Sequence, residues 1–288
     1  MKRVVVTGMS AITALGDDWS TFRAALEKGE NAVQVMPQWQ QLDGLNTCLA
    51  APVTHFEKPA HYKRKMIRSM GRVSLMATRA TELALEQANL LNDSALTDGS
   101  TGVSYGSSIG STSPLVAFGN MMENNTMDGV TATSYIQMMS HTAPVNIGVF
   151  FGAKGRVITT SSACTSGSQG IGYAYEAIKF GKQKTMIAGG AEELCVTEAA
   201  VFDTLYATST KNEQPKLTPK PFDQARDGLV IGEGACTLIL EELEHAKARG
   251  ANILAEIVGF GSNSDGKHVT QPTAETMQVA IELSLEDA

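Results

Sequence analysis

The 288-residue chain carries 30 acidic and 23 basic side chains, which gives a formal net charge of −7. Such an acidic balance argues against a general affinity for nucleic acid or for an anionic membrane surface. Hydrophobic residues make up 43% of the sequence, enough for a sizeable core, and the length fits one large domain or two ordinary ones.

The first residues, MKRVVVTGMSAITALG, combine a basic start with an apolar run, as a short signal peptide does. Thr7, Gly8 and Ser10 interrupt that run and no clear cleavage site follows, so a buried strand that enters a turn explains it better. No uninterrupted apolar segment approaches the roughly 20 residues that span a bilayer. We therefore expect a soluble protein of the reducing cytoplasm with no membrane partner.

Strands and helices are predicted to alternate along the chain, from short β-branched runs and from apolar residues at helical spacing. In chain order, the predicted elements are a strand over 3–8, helices over 19–29 and 72–91, strands over 101–108 and 155–163, a helix over 165–181, strands over 185–190 and 236–242, and a helix over 241–250. Several strands are apolar throughout, which is typical of a sheet covered on both faces. The alternation predicts a layered α/β fold.

The last third of the chain contains a loop and a faint internal repeat. Residues 209–228 are rich in proline, lysine and polar residues and are predicted to form a solvated loop. Segments 3–16 and 254–266 each resemble an apolar strand that runs into a Gly/Ser-rich loop. If the second segment opens a repeat of the first, the chain holds a complete first half and the beginning of a second. The helical pattern over 277–288 has no stop signal, which fits that expectation.

The four cysteines are widely scattered and form no C-x-x-C pair, so neither a zinc site nor a disulfide framework is predicted. The five histidines show no metal-ligand spacing either, and no metal site is expected. Cys48, Cys195 and Cys236 are interpreted as buried apolar fillers, the commonest role of a free cysteine.

Cys164 lies in the stretch TTSSACTSGSQG, between an apolar strand and a helix that Thr165 is predicted to open. The start of a helix has unpaired N–H groups and a partial positive charge, which stabilise a thiolate and make the sulfur nucleophilic. The same N–H groups can hold the oxyanion that forms when sulfur attacks a carbonyl. Small neighbours (Ala163, Ser166 and Gly167) leave room for a substrate. The pattern favours covalent acyl transfer through Cys164.

The alternative is an inert, half-buried cysteine at a helix cap. A hydrolase elbow of the G-x-S-x-G type is not matched, and no Cys-His protease signature surrounds Cys164. These residue patterns alone leave both interpretations open.

The segment SSACTSG followed by a helix resembles the nucleophile motif of the β-ketoacyl-(acyl carrier protein) synthases, members of the thiolase-like superfamily. Further segments resemble that family in the same order, namely RVVVTGMSAITALG, GSSIGS, IAGGAEE, PFDQARDGLVIGEGACTLILEELEHAKARGA and AEIVGFGSNSDGKHVTQP. The matches run from residue 3 to about residue 272. The elongating type II enzymes of fatty acid and polyketide synthesis are the most similar group.

The resemblance implies a layered α/β/α/β/α fold, with an N-terminal half over 1–250 that carries the nucleophile and the beginning of a C-terminal half over 251–288. It implies that an acyl group moves from the phosphopantetheine of an acyl carrier protein to Cys164. Malonyl-carrier protein then loses carbon dioxide, and the enolate attacks the thioester in a decarboxylative Claisen condensation. No cofactor is expected, since the substrates are carried on the carrier protein.

Three site assignments come from the same resemblance. The backbone N–H of Cys164 would form half of the oxyanion hole. Ile109, within GSSIGS, would lie near the end of the acyl chain, and Phe202 would line that pocket.

The chain also departs from the family pattern. Family members use two histidines of the second half, one of them in a His-Gly-Thr motif, and an Asn-x-Phe-Gly-Phe-Gly loop. No histidine here is followed by glycine, and His268 matches neither catalytic histidine. We therefore expect this chain to be acylated at Cys164 but to condense very poorly. The hydroxyl-rich TTSS segment is also unusual, and it suggests an unusual acyl group such as an aryl or polyene intermediate.

Two other functions share parts of this pattern. A non-catalytic partner subunit that determines chain length resembles the family but replaces the nucleophile, and the presence of Cys164 argues against it. A thiolase that acts on coenzyme A thioesters has a similar cysteine, but segment 221–235 fits the synthases better.

The family associates as dimers, so the expected partners are the acyl carrier protein and either an identical chain or a related synthase subunit. Segment 134–148 resembles the part of the family that meets the partner. The alternative for this segment is a core helix.

Overall fold

The computed structural model describes all 288 residues. Its nine strands are β1 (Val4–Thr13), β2 (Gln34–Val35), β3 (Leu49–Ala51), β4 (Thr101–Gly106), β5 (Val157–Thr160), β6 (Thr185–Glu192), β7 (Ile231–Gly232), β8 (Gly234–Glu242) and β9 (Ala255–Ile257). Its ten α-helices are α1 (Trp19–Glu27), α2 (Arg64–Ile67), α3 (Arg72–Gln87), α4 (Ser113–Asn124), α5 (Ser134–Met138), α6 (Thr142–Phe151), α7 (Ser166–Lys179), α8 (Val196–Thr204), α9 (Leu243–Ala248) and α10 (Ala274–Asp287).

Six of the strands form one sheet in the order β5-β4-β6-β8-β1-β9. β4 is parallel to both β5 and β6, whereas β8 is antiparallel to β6 and to β1. Parallel neighbours need a crossover connection, so helices separate β4, β5 and β6 along the chain. A second, small sheet contains β2, β3 and β7.

Helices cover both faces of the six-stranded sheet. On one face α3 and α6 enclose a cluster of 19 buried residues, which includes Met76, Leu85 and Ile147. On the other face α7 contributes Ala174 and Ile178 to a cluster of 9 buried residues. Side chains on both faces of the central strands leave water, and most of them are apolar, as the sequence predicts; Thr101, Ser104 and Thr185 are buried polar exceptions.

The segment that follows α9 extends the same sheet. β9 pairs antiparallel with β1, with Val4 opposite Ile257. α10 is tied to α7 at its last turn, where the Asp287 carboxylate accepts hydrogen bonds from the Tyr175 hydroxyl at 3.0 Å and pairs with the Lys179 ammonium. The domain boundary at residue 250 stays a prediction.

All strands and helices predicted from the sequence are present, but several of their ends differ: β1 extends to Thr13, β5 covers only Val157–Thr160, and α3 ends at Gln87. The helix predicted over 241–250 covers only Leu243–Ala248, because residues 241–242 complete β8. α7 begins at Ser166 and has Thr165 as its N-cap, so Thr165 does not open the helix as predicted. The predicted loop over 209–228 contains only a short 3-10 helix, Pro215–Leu217.

Segment 134–148 forms α5 and most of α6, and part of it is a core helix, while its contact with a partner stays a prediction. Ala143 and Ile147 are buried in the core, whereas Val145 and Tyr135 are exposed. None of the helices is both long and apolar enough to cross a membrane.

Candidate active site

The three parallel strands end at the same edge of the sheet, and each leads to one of the predicted site residues. β4 leads into a turn over 107–110 that contains Ile109, β5 leads to Cys164, and β6 leads to α8, which carries Phe202. Ligands of α/β proteins commonly bind at the carboxyl ends of parallel strands. The topology therefore brings together segments that are far apart in the sequence.

A residue in the left-handed conformation makes the sharp turn before Cys164. Ala163 has a φ of 53°, a conformation that costs an L-residue about 1–2 kcal/mol. Ser166 holds the turn, because its hydroxyl donates to the Ala163 carbonyl oxygen at 2.6 Å and accepts from the Ser162 N–H at 2.9 Å. Backbone strain of this kind is commonly found at functional sites.

The hydroxyl-rich TTSS segment has a structural role at this turn. The Thr160 hydroxyl donates to the carbonyl oxygen of Ser166 at 2.8 Å, and the Ser161 hydroxyl lies 2.9 Å from that of Ser140. These contacts anchor the turn to α7 and to the loop between α5 and α6. These hydrogen bonds give the hydroxyl groups of the segment a structural role. The unusual acyl group that the segment suggests stays a prediction.

Cys164 is exposed and lies two residues before the first residue of α7. Its backbone N–H takes no part in the hydrogen bonds formed outside helices and strands, so it is available to a ligand. The helix start approaches β6 closely, since a Cβ added at Gly190 would lie 2.8 Å from the Cα of Gly167. The sulfur therefore lies where the sequence predicts it, accessible at the start of a helix.

Cys164 lines an open cavity of about 1030 Å³ at this edge of the sheet. Ile109 and Phe202 line the same cavity, so the structure brings all three predicted site residues together. Half of the 28 lining residues are hydrophobic, a lining that suits a hydrocarbon chain with few polar contacts.

The Glu192 carboxylate, at the end of β6, holds the turn that carries Ile109. It accepts hydrogen bonds from the Ser107 hydroxyl at 2.8 Å and from the Ser108 N–H at 2.5 Å. Burial raises the pKa of Glu192, and the hydrogen bonds from this turn partly offset that effect. Glu192 thus attaches the turn that carries Ile109, which forms part of the cavity wall, to the end of β6.

Sequence reasoning missed a second glutamate in the cavity. Glu198 is the third residue of α8 and lines the cavity with Val201 and Phe202. Burial, followed by the charge of Glu192, raises the pKa of Glu198 to about 7. One sequence signal could have found Glu198. It lies three and four residues before Val201 and Phe202, a spacing that places all three on one face of a helix.

The interpretation of three cysteines as buried fillers is right for Cys48 and wrong for the other two. Cys236 is exposed and lines the cavity, because it lies in the first residues of β8, where the sheet edge opens. Burial against the surrounding protein nevertheless raises the pKa of its thiol. Cys195 is half-buried, and its sulfur lies 3.0 Å from the Thr197 hydroxyl.

Comparison with known proteins agrees with this geometry. The sequence profile described as "Beta-ketoacyl synthase, N-terminal domain" matches residues 1–246. The chain belongs to the β-ketoacyl synthase family.

Relatives and solved structures of the family cover nearly the whole chain. The 3-oxoacyl-[acyl-carrier-protein] synthase 1 of Haemophilus influenzae is 34% identical over 277 residues, which make up 96% of this chain and 68% of the relative. The crystal structure of a β-ketoacyl synthase from Burkholderia phymatum has a TM-score of 0.97 and 61% identity, over 100% of this chain and 71% of the other. A ketosynthase in complex with a type II polyketide acyl carrier protein has a TM-score of 0.83 and 27% identity, over 99% and 70%. The family and the thiolase-like α/β fold predicted from the sequence are confirmed.

Proposed function

We propose that the protein is a 3-oxoacyl-(acyl carrier protein) synthase that uses Cys164 as its nucleophile. The Cys164 thiolate attacks the carbonyl carbon of an acyl thioester on the phosphopantetheine of the carrier protein. The bond from that carbon to the phosphopantetheine sulfur then breaks, and the departing thiolate takes up a proton. The N–H of Cys164 stabilises the oxyanion that forms between these steps.

The observation that supports this proposal most is that an exposed thiol, next to a strained turn at the start of a helix, lies in a cavity half of whose lining residues are hydrophobic. Cys164 is exposed, so an inert half-buried cysteine does not fit. Ile109 and Phe202 supply apolar walls of the same cavity, which favour a hydrocarbon chain over water.

Condensation is the second step of the family's reaction, and this chain, in which no histidine matches the two catalytic ones, is expected to perform it very poorly. Malonyl-carrier protein loses carbon dioxide, and the enolate carbon attacks the carbonyl of the Cys164 thioester. A carbon–carbon bond forms, the bond to the Cys164 sulfur breaks, and the 3-oxoacyl product stays on the carrier protein. A partner subunit without a nucleophile is disfavoured, because Cys164 is present and exposed.

Intact-mass spectrometry tests the assignment of Cys164. We expect incubation of the 288-residue chain with an acyl-loaded carrier protein to add the mass of one acyl group. The Cys164→Ala variant should gain no mass, whereas the matched Cys195→Ala variant should be acylated like the wild type. An adduct confined to other cysteines, or no adduct at all, would refute the proposal.

We also propose that two identical chains associate through the surface formed by β5 and α6. β5 is an edge strand with Val157 exposed, and Val145 and Val149 are exposed on the adjacent helix. Edge strands and contiguous apolar surface favour association with another protein. Sedimentation velocity should show a dimer that Val149→Glu dissociates and that Ile281→Glu, on α10, leaves intact. A monomeric wild-type chain would contradict this arrangement.

A further inference from the structure

The cavity that contains Cys164 also holds a carboxyl group whose hydrogen-bonding capacity is unfilled. Glu198 lines this cavity, and its Oε2 atom is buried without a hydrogen-bond partner. Buried polar side-chain atoms in native proteins nearly always have a partner. An unpaired oxygen beside a substrate cavity therefore indicates that the substrate supplies the hydrogen-bonding group.

The backbone N–H of Cys195 hydrogen-bonds the Glu198 carboxyl group, but its Oε2 atom stays without a partner, and the charged neighbours supply none. The charged groups that face it are the carboxylates of Glu192, Glu193 and Glu233, which raise its pKa together with burial. Each of these three accepts hydrogen bonds elsewhere, Glu233 from the Arg72 guanidinium. The charged neighbours of Glu198 are thus all acceptors, and near pH 7 the group is present both as the acid and as the carboxylate.

Helix α8 places Glu198 beside Phe202, which is predicted to line the acyl pocket. Glu198, Val201 and Phe202 occupy positions i, i+3 and i+4 of α8, which share one face, and all three line the cavity. An acyl group that extends from Cys164 along Val201 and Phe202 lies next to the carboxyl group of Glu198.

We propose that Glu198 is a specificity-determining residue, which hydrogen-bonds a hydroxyl group on the acyl chain held at Cys164. A hydroxyl group suits both forms of the side chain, because it accepts from the acid and donates to the carboxylate. A plain hydrocarbon chain leaves the buried oxygen unpaired, and sites built for a hydroxyl reject analogues that lack it. The inference rests on the proposed acyl transfer to Cys164 and adds the chemical class of the acyl group.

The test compares acylation rates of the 288-residue chain by pairs of acyl thioesters. The two members of a pair have the same chain length, and one carries a hydroxyl group, which is moved carbon by carbon along the chain. For at least one position we expect the hydroxylated chain to react about tenfold faster than the plain chain. In Glu198→Met, which keeps a similar volume without the oxygens, the ratio should fall to about one.

Two further variants keep the test decisive. Glu213→Gln, on the exposed loop, should keep the wild-type ratio. Glu198→Gln retains one acceptor and a donor, so it should keep part of the preference and replaces Glu198→Met if that variant does not fold. Equal rates for all pairs in the wild type, or a preference that survives in Glu198→Met, would overturn this inference and leave acyl transfer intact. Failure of every thioester to acylate Cys164 would overturn the proposed function and this inference with it.

Discussion

The Glu192 carboxylate accepts a hydrogen bond from the backbone N–H of Ser108 at 2.5 Å and so joins the ends of two parallel strands that lie 84 residues apart in the sequence. Ser108 precedes Ile109, which lines the cavity. The bond therefore couples the end of β6 to the wall next to Cys164, and its loss should affect both stability and acylation.

Replacing Glu192 by alanine leaves the Ser108 N–H without its acceptor. We expect a loss of about 2–3 kcal/mol in the free energy of unfolding, because a buried donor without a partner loses its full solvation. Urea denaturation measures this loss, and the rate of Cys164 acylation should fall in the same variant. The exposed Glu213→Ala serves as the control and should change stability by less than about 0.5 kcal/mol. Equal stabilities of the two variants would show that the carboxylate does not hold the turn.

The raised pKa of Glu198, about 7, makes stability depend on pH. Between about pH 4.5 and pH 7 the unfolded chain has released this proton while the folded chain still holds it. The stability that the protonated group contributes at low pH is therefore lost progressively over this range, and the loss is complete above pH 7. Glu198→Gln cannot ionise. The free energy of unfolding of Glu198→Gln minus that of the wild type should therefore be about 1–2 kcal/mol larger at pH 8 than at pH 5. Urea denaturation at both pH values measures this difference. A difference that does not vary with pH would contradict the raised pKa.

Strain at Ala163 can be tested by two alanine-to-glycine substitutions of opposite expected sign. Glycine adopts the observed φ of 53° without a steric penalty, so Ala163→Gly should be neutral or stabilising by up to about 1 kcal/mol. The control is Ala24→Gly, at an exposed position of α1, which should destabilise by about 1 kcal/mol. Thermal or urea denaturation of both variants provides the comparison. Similar losses in both would mean that the turn before Cys164 is unstrained.

Ile109 should influence the length of the acyl chain that the cavity accepts. Ile109→Phe adds volume to a lining residue and should slow acylation of Cys164 by a long chain relative to a short one by about tenfold. Competition between two acyl-carrier proteins of different chain length, read by mass spectrometry, measures the ratio. Leu26→Phe, on the exposed side of α1, should leave the ratio unchanged. An unchanged ratio in Ile109→Phe would remove this residue from the acyl pocket.

Local patterns in the sequence predict the strands and helices of this protein and a candidate nucleophile. The β-branched runs and helical spacings reproduce the central strands and α3 and α7, because each depends on the periodicity of neighbouring residues. The position of Cys164 between a strand and a helix is predicted in the same way, but only the resemblance to the synthases favours its role as a nucleophile over an inert cysteine.

Only the tertiary structure decides which distant side chains line the cavity that contains the Cys164 sulfur. Glu192, Glu198 and Cys236 come from β6, α8 and β8, and their convergence depends on strand order, which no local pattern encodes. Cys236 looks like a core residue in its apolar run, yet it faces the cavity because β8 begins at the open edge of the sheet. The two glutamates lie only six residues apart in the sequence and look alike there. Only the positions of hydrogen-bond donors separate Glu192, which holds a turn, from Glu198, whose Oε2 has no partner.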